Sequence, residues 1–370
     1  MEANLYYLVS ALVYGTFFAL MAMGLTLTYM TTKVPNFAYG SFVTIGLYTA
    51  YQMHYLNHIG PYGASVVAFA VTGVASLLMY VGIIRPLARR GTPLVAQMIA
   101  TFGVDIAFIG IFGIYTDYMR ARYGLNDTKS FFAFPDDFTL FGLQGVVFVA
   151  PIVLALITIS IYLLFTRTKF GIAMRASVEN SALARILGIN VELVYGASWV
   201  LAGGLAGVAG AIYTLWLPGG TSTGSDLIVE IFASSILGGL TSIFGAVAGG
   251  LVIGGSETLV TTGLALGIGI PGTIALALVS VAGGVVLARR KGRRPRVMGA
   301  LFGAIGAYMF VEMATGFSTD FFVRGLANGF GAGIIPFQKG IPLLIMVIAL
   351  LVLPKGLTSI KLRRRGRGSQ

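Results

Sequence analysis

Cysteine is absent from this 370-residue chain, which excludes a disulfide framework and a thiolate metal site, and two histidines leave little for metal chemistry. The redox compartment is not fixed by the sequence. Charge is scarce as well: Asp, Glu, Lys and Arg make up 10% of the residues, where soluble domains carry about 25%. With 56% of the residues hydrophobic in type, a soluble globular enzyme is excluded. Met1-Glu2-Ala3-Asn4 lacks a basic region ahead of the first apolar run, so no cleavable signal is expected. The phosphate-binding pattern GxxxxGK(S/T) occurs nowhere, and the nearest string, Thr128-Lys129-Ser130, lacks the glycine before lysine. ATP, if used, is bound by another chain.

Glycine is plentiful: 51 residues, close to one in seven, about twice the usual share. In apolar helices small residues let backbones approach closely, so the composition reads as an all-α, polytopic helical membrane protein forming a single membrane domain over residues 1–370. About 20 apolar residues at 1.5 Å rise cross the hydrocarbon. Candidate crossings are 5–30, 36–55, 62–84, 94–115, 145–165, 191–217, 267–288, 297–317 and 340–353. The stretch 226–262 is different, because Gly238-Gly239-Leu240-Thr241-Ser242 interrupts it.

Basic residues sort sharply among the gaps: Lys33, three in 85–90, four in 167–185, six in 289–296 and six in 355–367, twenty of the 25 in all. Lysine and arginine near span ends favour the cytoplasmic side. All five gaps are then cytoplasmic, and each interval between them holds an even number of crossings. The N-terminus falls outside the cell membrane and the basic tail 355–370 inside. Two spans already lie between Arg185 and Arg289, so 226–262 enters and leaves on the outer side. It is either re-entrant or turns near the cytoplasmic face, giving nine or eleven crossings. A re-entrant version marks a pathway, since broken backbone at membrane depth is tolerated only beside protein or a water-filled cavity.

Few polar groups lie at membrane depth. Asp105 sits mid-span, at a cost of about 2.5–3.5 kcal/mol, and the eleven Leu, Ile, Phe and Val residues of 94–115 return roughly 3–6 kcal/mol. It faces protein, either to sense a solute or carry protons, or to hydrogen-bond a neighbouring helix. Glu257 reads as an interhelical contact, and Glu230 and Glu312 are weaker candidates. The pairs Gly203/Gly207, Gly245/Gly249, Gly250/Gly254 and Gly299/Gly303 allow tight helix crossings, and 245–255 also suits a backbone-lined path. In 167–190, Met174, Val178, Ala182 and Ile186 recur every fourth residue and Gly188 fits a helix stop. This predicts one short amphipathic helix, lying on the protein or the lipid interface, or inserted into a groove of a cytosolic partner. The run Lys361-Leu362-Arg363-Arg364-Arg365-Gly366-Arg367 suits a topology anchor or contact with anionic membrane lipid.

Three stretches and a terminus resemble the membrane permeases of branched-chain amino acid ABC importers. Gly24-Leu25-Thr26-Leu27-Thr28-Tyr29 with Val34-Pro35-Asn36-Phe37-Ala38-Tyr39-Gly40-Ser41-Phe42 is similar to the family's first signature, with Tyr39 and Ser41 standing where His and Glu are usual. Arg167-Thr168-Lys169-Phe170-Gly171, Arg175-Ala176 and Glu179 through Asn190 resemble its ATPase-docking loop. Leu237 through Ala246 with Gly249-Gly250 is similar to its third block, and Leu353-Pro354-Lys355-Gly356-Leu357 to its C-terminal end. The segment 264–320 stands out as an extra two-span hairpin.

The resemblance implies an import channel for branched-chain or other small hydrophobic amino acids, working with cytosolic ATP-binding subunits, a second permease subunit and an external solute-binding protein. It implies ATPase coupling through Arg175, Glu179, Arg185 and Gly188. The implied substrate path takes in Asn36, Tyr39, Gly40, Ser41, Asp105, Gly238, Gly239, Thr241 and Ser242. No catalytic residue, metal, cofactor or nucleic acid is expected in this chain. The competing expectation is an ion-coupled secondary transporter of a small solute, using Asp105 and Glu257.

Overall fold

The computed structural model describes residues 2–125, 128–131 and 137–265, with single positions between 340 and 347. The spans expected at 267–288 and 297–317, most of 340–353, the basic gaps 289–296 and 355–367 and the pair Gly299/Gly303 lie outside the described residues.

Helix α1, Glu2–Thr32, is followed by a non-helical link in which Pro35 disfavours helix at the residue before it, and Lys33 takes a left-handed φ of 58°. Helix α2, Tyr39–Asn57, therefore starts three residues later than expected, leaving Asn36 in the link. Pro61, with its φ preset, opens α3, Pro61–Met79. A π turn, Tyr80–Ile84, leads into α4, Arg85–Arg89. Pro86 clashes with the carbonyl four residues back in a regular helix, and this wider turn accommodates it. Helix α5 is Leu94–Tyr123 and α6 is Val146–Arg167.

Between α5 and α6, β1 (Ser130–Phe131) belongs to the loop, and β2 (Thr139–Leu140) and β3 (Leu143–Gln144) form a small hairpin. Asp137 fastens this loop, accepting from Tyr62 Oη at 2.8 Å and from Val146 N at 2.8 Å. Then follow α7 (Lys169–Glu179), α8 (Ser181–Ile186), α9 (Val191–Tyr213), β4 (Gly219–Gly220), α10 (Thr223–Asp226), α11 (Ile228–Gly238) and α12 (Ile243–Ala265). Among the described residues, five helices are long and apolar enough to cross a membrane: Val9–Thr32, Pro61–Arg89, Leu94–Tyr123, Val146–Arg167 and Val191–Tyr213. Helix α2 runs among them but is less apolar because of Thr44, Tyr48, Thr49 and Tyr51, which its burial from Tyr39 to Tyr51 permits.

Contacts between helices fix their directions. Phe37 and Ser41 meet Thr101 and Asp105, and Gln52 meets Tyr115, so α2 and α5 run parallel with an offset near 64 residues. Ser76 bonds Trp199 and Gly73 faces Val200, while Gly207 lies on Ala68, so α3 and α9 are antiparallel. Gly254 lies on Gly15 and Gly250 on Ala19, so α1 and α12 are antiparallel too. These directions are the ones the charge-based parity requires. A cavity of 410 Å³ is walled by the end of α1, the π turn and α4, the start of α5, α8 and the start of α9. The basic gaps around Lys33, 85–90 and 167–185 therefore share one face.

The interrupted stretch turns close to that face. Ser235 bonds Thr26, six residues before the end of α1, and the Phe244 ring sits 5.8 Å from Tyr162, five residues before the end of α6. Those offsets are about 9 and 7.5 Å of helix. The unit thus traverses most of the bilayer, with a broken limb α10–α11 and an unbroken return limb α12.

One expectation is corrected. Residues 167–190 are two helices, not one, because Asn180 is extended (φ −151°, ψ 97°) and its Oδ1 accepts from Leu183 N at 3.0 Å, capping α8. The four-residue periodicity consequently does not form one face: Met174 is buried against Ser198, while Ile186 is exposed.

Candidate transport site and coupling surface

Small residues bring backbones together around α2, and polar side chains then meet across the gap. A side chain at Gly46 would stand 2.5 Å from Gly207 Cα, and one at Gly24 would stand 2.8 Å from the Ala202 carbonyl oxygen. Gly40 and Gly224 are in backbone contact, and Gly224 N donates to Thr44 Oγ1 at 3.0 Å. That closeness brings α10 to Asp105, whose Oδ1 accepts from Ser41 Oγ at 2.5 Å and from Ser225 Oγ at 3.0 Å. Asp105 is 5% exposed and so joins three elements, α2, α5 and α10, inside the protein.

Toward the basic face the seam continues. Phe37 N donates to Thr101 Oγ1 at 3.1 Å, and the Phe37 ring packs 5.2 Å from Phe232 on α11. Thr26 Oγ1 and Ser235 Oγ are 2.6 Å apart. Asn36 is fully buried, and neither its Oδ1 nor its Nδ2 has a partner among the described residues; Ser234 Oγ is in the same position. Buried polar groups are nearly always paired, so Asn36 beside the seam and Ser234 on α11 offer open hydrogen-bonding positions, as does Thr128 Oγ1 at the far end. Away from the basic face, β1 pairs antiparallel with β4 and Tyr48 Oη donates to the Thr128 carbonyl at 3.0 Å. This closes the seam at that end.

At the basic face, Thr168 caps α7 by accepting from Gly171 N at 3.2 Å, and α7 lies on α9 through Tyr195 Oη to the Ser177 carbonyl, 3.1 Å, and Ser198 to Met174 Sδ, 3.2 Å. Helix α8 leaves Leu183, Ile186 and Leu187 exposed, Ile186 at 81%. Gly188 takes φ +81°, the left-handed stop its sequence position suggested. Glu192, in the first turn of α9, pairs with both Arg85 and Arg89, the latter at 2.5 Å.

Comparison with known proteins decides the family. Residues 7–288 match the family described as branched-chain amino acid transport system, permease component. The chain belongs to that family. It is 43% identical, over 259 residues covering 70% of this chain and 82% of the relative, to a probable branched-chain amino acid transport permease protein LivH of Methanocaldococcus jannaschii. It is 28% identical, over 270 residues covering 66% and 82%, to the high-affinity branched-chain amino acid transport system permease protein LivH of Escherichia coli K12. A shorter match, 28% over 132 residues covering 33% and 39%, is to the galactofuranose transporter permease protein YtfT of the same organism. No solved structure matches. The protein is a multi-pass membrane permease.

In this permease the residues suggested by sequence fall into two groups. Asn36, Gly40, Ser41 and Asp105 share the seam, whereas Tyr39 reaches α9 and α1 instead, its Oη donating to the Ala202 carbonyl at 3.3 Å. Gly238, Gly239, Thr241 and Ser242 form the turn near the basic face instead. Gly239 supplies a φ of 96°, Thr241 is exposed, and Ser242 Oγ caps α12 by accepting from Gly245 N at 3.1 Å. The glycine pairs Gly203/Gly207, Gly245/Gly249 and Gly250/Gly254 are packed against neighbouring helices. Arg175 and Glu179 are exposed on α7, while Arg185 lines the cavity opposite Glu192. Sequence reasoning missed Ser225, Thr44, Ser234 and Glu192. The one available signal was Glu192 itself, an acid at a boundary otherwise marked by arginines.

Proposed function

We propose that this permease is the membrane subunit of an ATP-driven importer for branched-chain or other small hydrophobic amino acids. Its basic face is cytoplasmic, by the preference of lysine and arginine for that side, which puts the N-terminus outside and the C-terminus within. Cytosolic ATP-binding subunits dock on α7–α8, a second permease subunit completes the membrane part, and an external solute-binding protein delivers the amino acid. ATP hydrolysis occurs on the partner chains, and this chain needs no cofactor.

The observation that carries the reading is the exposed Leu183–Ile186–Leu187 cluster on the basic face. Three large apolar side chains on a two-turn helix at an aqueous boundary fit a helix held in a partner's groove. Helix α9 supplies the connection inward: it holds α7 through Tyr195 and Ser198, and α2 through Ala202, Gly207 and Gly210. Backbone-on-backbone contacts leave no side chain to absorb a shift, so α2 and α9 move as one body. Far fewer residues of α5 than of α9 are buried, and the seam opens between α2 and α5. The solute's ammonium and carboxylate meet Asn36 and Ser234, and Asp105 is a tie between helices.

The test is uptake of labelled leucine into proteoliposomes that hold the permeases and ATPases, with binding protein added outside. Uptake that needs internal ATP and persists with an uncoupler supports the importer. Uptake that survives without ATP and collapses with an uncoupler supports an ion-coupled secondary transporter instead.

A further inference from the structure

Arg85 separates two hollows. On one side is the 410 Å³ cavity between the helix ends; on the other, a groove of 450 Å³ runs between α3 and α9. The groove's wall is apolar, formed by Leu77, Val81, Leu193 and Val200, and Val81 and Leu193 are 44% and 64% exposed, so the wall is continuous with the membrane-facing side. Its basic end carries Arg85, Asn190 and Glu192. The π turn Tyr80–Ile84 borders both hollows, and such turns are frequent at functional sites.

The charges at this end do not balance. Arg85 and Arg89 share the single carboxylate of Glu192, leaving a net positive charge, and the buried Arg85 Nε has no acceptor among the described residues. Arginine's planar fork suits a phosphate oxygen pair. A free phosphate ester would occupy this end and leave the apolar wall without a partner, whereas a phospholipid satisfies both. The geometry points to an anionic phospholipid bound here, its phosphate on Arg85, with Arg89 adding positive charge from the adjoining cavity, and an acyl chain along Val81, Leu77 and Val200.

Trp199 reports on the site, its ring 5.5 Å from that of Tyr80. Replacing Trp216 by Phe leaves it as the single tryptophan. The full chain is placed in phosphatidylcholine nanodiscs containing phosphatidylglycerol, with bromine on the acyl chains of one lipid or the other, and Trp199 quenching is followed against lipid fraction. Brominated phosphatidylglycerol should quench at lower fraction than brominated phosphatidylcholine. Arg85→Gln or Arg89→Gln should each weaken that preference about fivefold, Arg85→Lys, which keeps the charge but loses the planar fork, should weaken it less than Arg85→Gln, and Glu192→Gln should strengthen it. Opposite signs from substitutions at one cluster distinguish binding from misfolding. Equal quenching by the two lipids, or variants without effect, overturns the assignment. Protection by soluble glycerol phosphate shows a free phosphate-ester site, and loss of quenching in the assembled transporter shows a subunit interface; either also overturns it.

Discussion

Asp105 is the sharpest place to separate a structural tie from a participant in transport. Its Oδ1 receives two buried hydroxyl bonds, from Ser41 at 2.5 Å and Ser225 at 3.0 Å. Asp105→Leu leaves both hydroxyls without that acceptor. Side-chain bonds between membrane helices average about 0.6 kcal/mol and reach about 1.7 kcal/mol, so the two together are worth about 1–3 kcal/mol. Asp105→Asn keeps the shape and one carbonyl acceptor at the same position, and should cost less than about 1 kcal/mol. Thermal unfolding in nanodiscs measures both costs, and ATP-dependent uptake measures what each does to transport. The leucine variant should melt lower and lose uptake, because the tie that joins α2, α5 and α10 is gone. The asparagine variant should keep uptake within about threefold of wild type. Loss of uptake in an asparagine variant that melts like wild type would refute the tie and make the carboxyl group itself part of transport.

Three further outcomes follow from other parts of the fold. Gly207→Ala puts a methyl group 2.5 Å from the Ala68 carbonyl and should destabilise by about 1–3 kcal/mol, whereas Gly103→Ala, with open space around it, should be neutral or slightly stabilising in the same melting assay. Asn180→Ala removes the α8 cap, worth about 1 kcal/mol, and should lower solute-stimulated ATPase activity of the assembled complex while leaving the permease's own unfolding midpoint nearly unchanged. Ile186→Asp combined with Leu187→Asp should abolish ATPase copurification without altering thermal stability, since both side chains are exposed; ATPase that still copurifies counts against docking on α8.

Two different kinds of packing serve two ends in this molecule. Around α1, α2, α3, α9 and α12, glycines let backbones touch, and that part is tied by backbone contacts. Helix α5 is joined to the unit through side-chain bonds, Phe37–Thr101, Ser41–Asp105 and Tyr115–Gln52, all along its contact with α2. Such bonds can break and re-form with water or solute polar groups, whereas a glycine contact cannot be rebuilt at another distance without a void. The line between α2 and α5 is therefore where the fold can open at least cost.

What the sequence revealed is what acts locally. Hydropathy and the cationic gaps located the spans among the described residues and their directions relative to one another, because a helix either partitions into hydrocarbon or does not, whatever its neighbours. Gly188 was legible as a stop for the same reason. Asn180 was not: the four-residue periodicity through Val178 and Ala182 continued across it, and a single capping side chain outweighed that pattern. Asp105 could be recognised as buried, but its partners Ser41 and Ser225 lie 64 and 120 residues away, brought in by the packing of α2 on α5 and by the Gly40–Gly224 approach. Arg85 and Arg89 read as markers of sidedness, since nothing near them in the chain shows that Glu192 lies across the groove. The break at Gly239 announced a turn, yet its depth was set by Thr26 and Tyr162, on helices that the break itself does not specify.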